Sequence, residues 1–367
     1  MILFLLGLSC KPLPDKSNTV ERPDTDESML QTFEVEATSD GQGFLEVEIP
    51  LIDGDSAIMI TGFSESYLSL EDIVASNGET LFSWVDWYDS DYSITEAIFA
   101  FNKDVVVQWP IRDNDPELTG DSLLVVLSTL NNNWGYQGNR NVDLVVQVKT
   151  DDDFSLGTVK VVIAYAGNLS ENESLTSAVE AGVDVWKAIW SNVGLNLEAR
   201  FTTIELSATV PSPENSSDLF QASEAIASED ELLMIIGDTI QGEPEVLGIS
   251  GGIPGSLVNS KRSAVVVSWL ESAGFDAQFN TAEIQMLGET MAHEIGHYMG
   301  LYHPVEADYN YWDALEDTEE CRTWNACETQ LGNNLMFPYP ICYGPCELQT
   351  EITNDQMGVL QRYTGTL

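Results

Sequence analysis

Basic residues are scarce in this chain. Only 14 Lys and Arg stand against 60 Asp and Glu, a formal net charge of -46. So acidic a surface repels phosphate backbones, which excludes nucleic acid as a partner, and it disfavours docking on anionic lipid. Histidine is scarcer still. There are three in 367 residues and none before His293, so imidazole chemistry is confined to the C-terminal end. Cysteine is missing between Cys10 and Cys321, which excludes thiol chemistry over most of the chain. Beyond the first residues, no run is apolar for the ~20 residues that a membrane-spanning helix needs. What is present is ample core material: 43% of residues are hydrophobic, over a length that suits two domains of moderate size. The acidic excess reads as a solubilising surface suited to salty surroundings. Ca2+ sites built from Asp and Glu are the alternative use of that charge, although no EF-hand pattern occurs.

The chain opens MILFLLGLSC. An apolar run with small residues before Cys10 resembles the end of a bacterial lipoprotein signal, though the basic n-region is missing. The resemblance implies a signal over 1–10, a lipid anchor on Cys10 and an extracytoplasmic protein, at the cell surface or secreted. Residues 11–28 are polar, contain prolines and show no periodicity, as in a flexible tether. Export implies an oxidising compartment, so Cys321, Cys327, Cys342 and Cys346 are expected to form two disulfides. Three connectivities are open. A four-cysteine zinc site is the rival, but its spacings fit zinc ribbons poorly.

Two regions follow. Over 29–152, FEVEA, FLEVEIPL, AIMITGF, AIFAFN, DVVVQWPI, SLLVVLSTL and VDLVVQVK alternate or run apolar between turn-forming stretches. This predicts an all-β, sandwich-like domain. The cluster Trp84, Asp86, Trp87, Tyr88 and Asp89 is expected as a strand edge with half-buried aromatics, with a binding patch as the alternative. Over 153–367 the pattern changes. The strand VKVVIAY, a helix over 174–193, and the strands ARFTTIEL, ELLMIIGD and SAVVVSW predict an α/β (α+β) domain with a mixed twisted sheet. A long helix should begin at Asn280, with Glu283 at the capping-box position. It should run to about Met299 and end at Gly300.

That helix carries HEIGHYMGLYH. His293 and His297, four apart, lie on one face, and Gly300 lets the chain turn so that His303 can return to them. Three imidazoles with a fourth position open to water suit a catalytic Zn2+ ion. Glu294, beside the first of them, can take a proton from the zinc-bound water and pass it to a leaving amine. Four further constraints make HExxHxxGxxH far more specific than HExxH alone, and the only three histidines of the chain occupy its three ligand positions.

With these residues the chain resembles the metzincin zinc peptidases, whose signature is this motif followed by a Met-turn. NNLMFP supplies a matching turn, and Met336 would be the hydrophobic base beneath the metal. The resemblance covers about 157–367. It implies an endopeptidase acting on protein or peptide substrates, with His293, His297 and His303 as zinc ligands and Glu294 as catalytic residue. GISGGIPGS would be the edge that holds extended substrate, and TNDQMGVLQRY the C-terminal helix. Pro304 after the third histidine departs from the better-known subfamilies, so substrate preference does not transfer. Tyr339 is out of step with the position of an extra tyrosine ligand and is not expected to bind metal. The acidic surface points to basic or neutral peptide stretches as substrates. The rival reading is a catalytically silent surface binding or adhesion lipoprotein on the same fold. Oligomeric state and the role of the first domain, inhibitory or targeting, stay open.

Overall fold

A computed structural model of the chain describes residues 18–19, 22, 29–100, 102–151, 154–213, 226–228, 230–274, 277–342 and 346–367. Cys10 and nearly all of the expected tether lie outside them.

The first part is antiparallel β. Strands β1 (Leu30–Thr38), β2 (Phe44–Pro50), β3 (Asp55–Ser64), β4 (Tyr67–Ala75), β5 (Thr80–Ser83), β6 (Asp104–Trp109), β7 (Ser122–Leu130) and β8 (Asn141–Thr150) form two sheets. One has the order β1-β8-β3-β6. The other has the order β2-β7-β4-β5, extended beside β2 by the parallel pair Asn18–Thr19. Alternation decides which face is inside: in β2, Leu45, Val47 and Ile49 are buried while their neighbours are half-exposed, the period-two signature of a strand with one face on a core.

Two expectations are overturned here. Within AIFAFN, the described residues form no strand. Glu96–Ile98 is a single 3-10 turn, because the Thr95 hydroxyl accepts from the Ala97 N–H and the Phe99 N–H closes on the Glu96 carbonyl. Trp84–Trp87 is a short helix, not a strand edge. Strand β4 went unread because Glu71 and Asp72 interrupt its apolar pattern; a register irregularity lies between Leu70 and Asp72.

The second part is a mixed sheet flanked by helices. Strands β9 (Gly157–Ala166), β10 (Leu195–Ile204), β11 (Glu231–Gly237), β12 (Gly248–Ser250) and β13 (Val265–Ser268) adopt the order β10-β9-β11-β13-β12. All pairings are parallel except β12 with β13, so β12 is an antiparallel edge. The central parallel strands are mostly apolar and buried, with Lys160 of β9 and Glu231 of β11 as exceptions, as expected of strands covered on both faces. Among the described residues, the longer helices are α1 (Glu173–Ser191), α2 (Thr281–Tyr298), α3 (Trp324–Leu331) and α4 (Asn354–Arg362), with a short one at Trp269–Ala273.

The two parts share one buried core and are joined by polar contacts. Thr61 and Ser256 hydroxyls lie 2.6 Å apart, Arg262 pairs with Glu96, Arg362 pairs with Asp113, and the Glu96 N–H donates to the Ile253 carbonyl.

Helices α1 and α2 cross at two glycines. A Cβ on Gly288 would lie 2.6 Å from the Gly182 carbonyl oxygen and 2.7 Å from Val185 Cβ. Gly288→Ala should therefore force the helices apart and cost about 1–3 kcal/mol, lowering Tm by roughly 3–10 °C. Gly41→Ala, with nothing within 4 Å of the added methyl, should leave Tm within about 1 °C. Equal effects in a thermal melt would contradict this reading of the crossing.

Candidate metal centre and cleft

Helix α2 starts where the sequence asks it to. Asn280 Oδ1 accepts from the N–H groups of Ala282 (2.9 Å) and Glu283 (3.2 Å), and the Glu283 carboxylate accepts from the Asn280 N–H at 2.7 Å. Its far end is set by Gly300 at φ +112°, a left-handed conformation that ends helices and that side chains with a Cβ resist. The reversal returns the chain over the last turn of the helix and brings His303 to His293 and His297.

The three imidazoles converge: their ligand atoms lie within 4.8 Å of one another, and His297 Nε2 and His303 Nε2 are 3.1 Å apart. Each ring is oriented from behind. His293 Nδ1 is 2.7 Å from the Leu335 carbonyl, His297 Nδ1 is 2.6 Å from the Leu301 carbonyl, and His303 Nδ1 is 2.9 Å from Glu306 Oε2. Those partners only accept, so each Nδ1 carries the proton and donates, and each Nε2 turns a lone pair inward. Lone pairs facing one another at this distance repel unless a cation lies between them. Tetrahedral ligands at zinc–nitrogen distances would stand about 3.3 Å apart. The donor set therefore fits a zinc ion held by His293, His297 and His303.

Burial and the neighbouring imidazoles keep His293 and His297 neutral. The His293 pKa is lowered to about 3, chiefly by desolvation and then by His303, and that of His297 is well below the ordinary value for the same reasons.

Glu294 is buried beside the cluster. Desolvation pushes its pKa up to about 8, partly offset by a hydrogen bond from the Ser250 backbone. Strand β12 passes so close that a Cβ on Gly248 would lie 2.5 Å from Glu294 Cγ; only glycine fits there. Met336 is fully buried, with its sulfur 2.8 Å from where a Gly296 Cβ would sit, so it packs directly under the turn of α2 that carries His297.

These groups line a cleft of about 410 Å³, walled by Gly248–Ser250 on one side and by Leu335, Phe337, Pro338 and Tyr339 on the other. The Tyr339 hydroxyl lies 2.7 Å from that of Tyr309. Glu96, from the first part of the chain, reaches the same cleft.

The cysteines pair as Cys321–Cys327 and Cys342–Cys346, one of the three open connectivities. The first pair packs with Val305, Trp312, Leu331, Phe337 and Ile341 in a second small core, behind the wall that Phe337 presents to the cleft. Sequence reasoning missed Glu306, whose signal was a carboxylate three residues after His303. It also missed the Leu301 and Leu335 carbonyls, for which backbone atoms give no signal.

Residues 187–304 match the metallo-peptidase family M12B, reprolysin-like. The match runs from within α1 to just past the third histidine. Among solved structures, metalloproteinase-II from Bacteroides fragilis is similar over 89% of this chain and 93% of its own, at 10% identity and a TM-score of 0.33. The pre-peptidase C-terminal domain of a collagenase from Bacillus anthracis covers 37% of this chain and 99% of its own, at 8% identity and a TM-score of 0.22. PliG of Aeromonas hydrophila, a periplasmic inhibitor of g-type lysozyme, covers 36% and 98%, at 11% identity and a TM-score of 0.20. With all three scores below 0.5, the architecture rests on the element order and register given above. No curated protein matches the chain.

The raised pKa of Glu294 sets a pH dependence for protein stripped of metal by a chelator. The folded state holds the proton up to about pH 8, whereas the unfolded chain releases it near 4.5. The stabilisation is thus full below the unfolded value and is lost as pH rises through the folded one. Glu294→Gln cannot ionise. Its Tm advantage over wild type should be near zero at about pH 5 and reach roughly 5 °C or more at about pH 9. A constant difference across that range in calorimetry would refute it.

Proposed function

We propose that this chain, which carries a metzincin-type metallopeptidase domain, is a zinc-dependent endopeptidase that hydrolyses peptide bonds of proteins. The observation that carries the reading is a buried carboxylate, Glu294, set between three converging imidazoles and an open β edge.

Strand β12 is the edge of its sheet, so its outward backbone groups suit an extended peptide added as a further strand. That would lay a backbone carbonyl across the histidine cluster. His293, His297 and His303 would hold the zinc, which when bound supplies Lewis acidity: it polarises a carbonyl and makes water nucleophilic near neutral pH. Glu294 does the proton work. Its carboxylate takes a proton from the attacking water, and burial, by raising its pKa, helps it keep that proton until the amine departs. The Ser250 N–H keeps one carboxylate oxygen in place, and Gly248 leaves the room that this placement requires. Glu306 acts through His303, fixing its tautomer and ring angle.

The two disulfides support an oxidising, extracytoplasmic setting. Cys10 as a lipid anchor belongs to the same reading and rests on the sequence alone.

Casein digestion by wild type and Glu294→Gln, both checked for equal metal content, tests the proposal. Cleavage by the variant should fall about 100- to 10,000-fold. Metal-loaded wild type that cleaves nothing would favour the silent binding protein, and equal cleavage by the two would remove Glu294 from the chemistry. Gly248→Ala, which displaces the Glu294 side chain, should lower kcat by roughly tenfold or more while metal content stays the same. An unchanged kcat would show that the close approach of β12 has no catalytic role.

A further inference from the structure

We propose that Glu289 makes the cleft selective for a lysine or arginine side chain next to the scissile bond. This rests on the peptidase reading of the same site and names the substrate class it takes.

Met286, Glu289, Thr290 and His293 all line the cleft. They follow the i, i+3, i+4, i+7 spacing of one helix face, so Glu289 stands about one turn, roughly 6 Å along the axis, before the first histidine. Leu335, Pro338, Tyr339 and Gln349 line the same cleft. A peptide whose carbonyl lies at the histidines would point an adjoining side chain into this recess.

Glu289 is more than nine-tenths buried. It accepts a hydrogen bond from Gln285 Nε2 at 2.8 Å and another from the Gln349 backbone N–H. Both donors are neutral, and among the described residues no Lys, Arg or His forms an ion pair with it. Burial accordingly raises its pKa. Among the described residues, the lining of the cleft carries Glu96, which Arg262 already pairs, together with Glu245, Glu289 and Glu294, and no lysine or arginine. A desolvated carboxylate without a cationic partner is costly, and a substrate ammonium or guanidinium supplies that partner. An apolar side chain in the same recess would leave the cost in place, and an acidic one would add repulsion. Discrimination therefore comes from both attraction and exclusion.

The rival role for Glu289 is a strut that ties α2 to the segment carrying Gln349. Glu289→Gln separates the two, because an amide oxygen keeps an acceptor for these donors and loses only the charge.

The test digests a peptide library with the full chain, reads the cleaved bonds by mass spectrometry, and then compares two peptides that differ only at the favoured position, Lys against Met. The library should show Lys and Arg enriched at one position adjoining the cleaved bond. kcat/KM should favour the Lys peptide by about tenfold or more. Glu289→Gln should bring that ratio close to one, with the Met peptide changed by less than about twofold. Cleavage without basic enrichment, an unchanged ratio, or an equal fall for both peptides would overturn the inference. The library profile needs no variant, so it decides even if Glu289→Gln does not fold. Failure of the wild type to cleave any peptide overturns the peptidase reading, and this inference with it.

Discussion

Everything at the cleft depends on three imidazole nitrogens aimed at one point. That convergence needs the 3.6-residue period of α2 for two of them and the left-handed turn at Gly300 for the third. It also needs each ring locked from behind, by the Leu335 and Leu301 carbonyls and the Glu306 carboxylate. These come from separate stretches of chain, so the site assembles only when the last helices and loops have packed. Met336 against Gly296 fixes the floor, and the second small core stiffens the wall.

The electrostatics follow from that packing. Imidazole lone pairs turned inward make a pocket of negative potential in a protein already carrying a large negative charge. A divalent cation there would be the largest local charge and would reverse the pKa logic around it. Glu294 and Glu289 sit on the same helix but in different company. Glu294 lies beside the imidazoles and under β12, suited to moving a proton. Glu289 lies one turn away, among neutral partners and apolar walls, suited to holding a substrate cation.

The sequence made part of this legible. The histidine spacing, the Asn280 cap and Gly300 are local signals, and local physics decides them. The central strands of the second part were readable because parallel strands buried on both faces appear as mostly apolar runs. What stayed hidden depends on tertiary context. The apolar residues near Ala97 look like a strand until the Thr95 cap bends them. Strand β4 hides behind Glu71, which is buried against Ser128 and Tyr136. The cysteine pairing depends on α3 turning Cys327 back toward Cys321. Glu306 and Glu289 look like two more acidic residues in an acidic chain until the fold places one behind His303 and the other in the wall of the cleft.

The most direct test of the central claim is zinc-edge X-ray absorption on protein saturated with zinc and freed of excess metal by gel filtration. One zinc per chain, with three imidazole nitrogens at about 2.0–2.1 Å and no sulfur, is the result predicted. Fewer than three imidazole ligands, or no retained zinc, would contradict it.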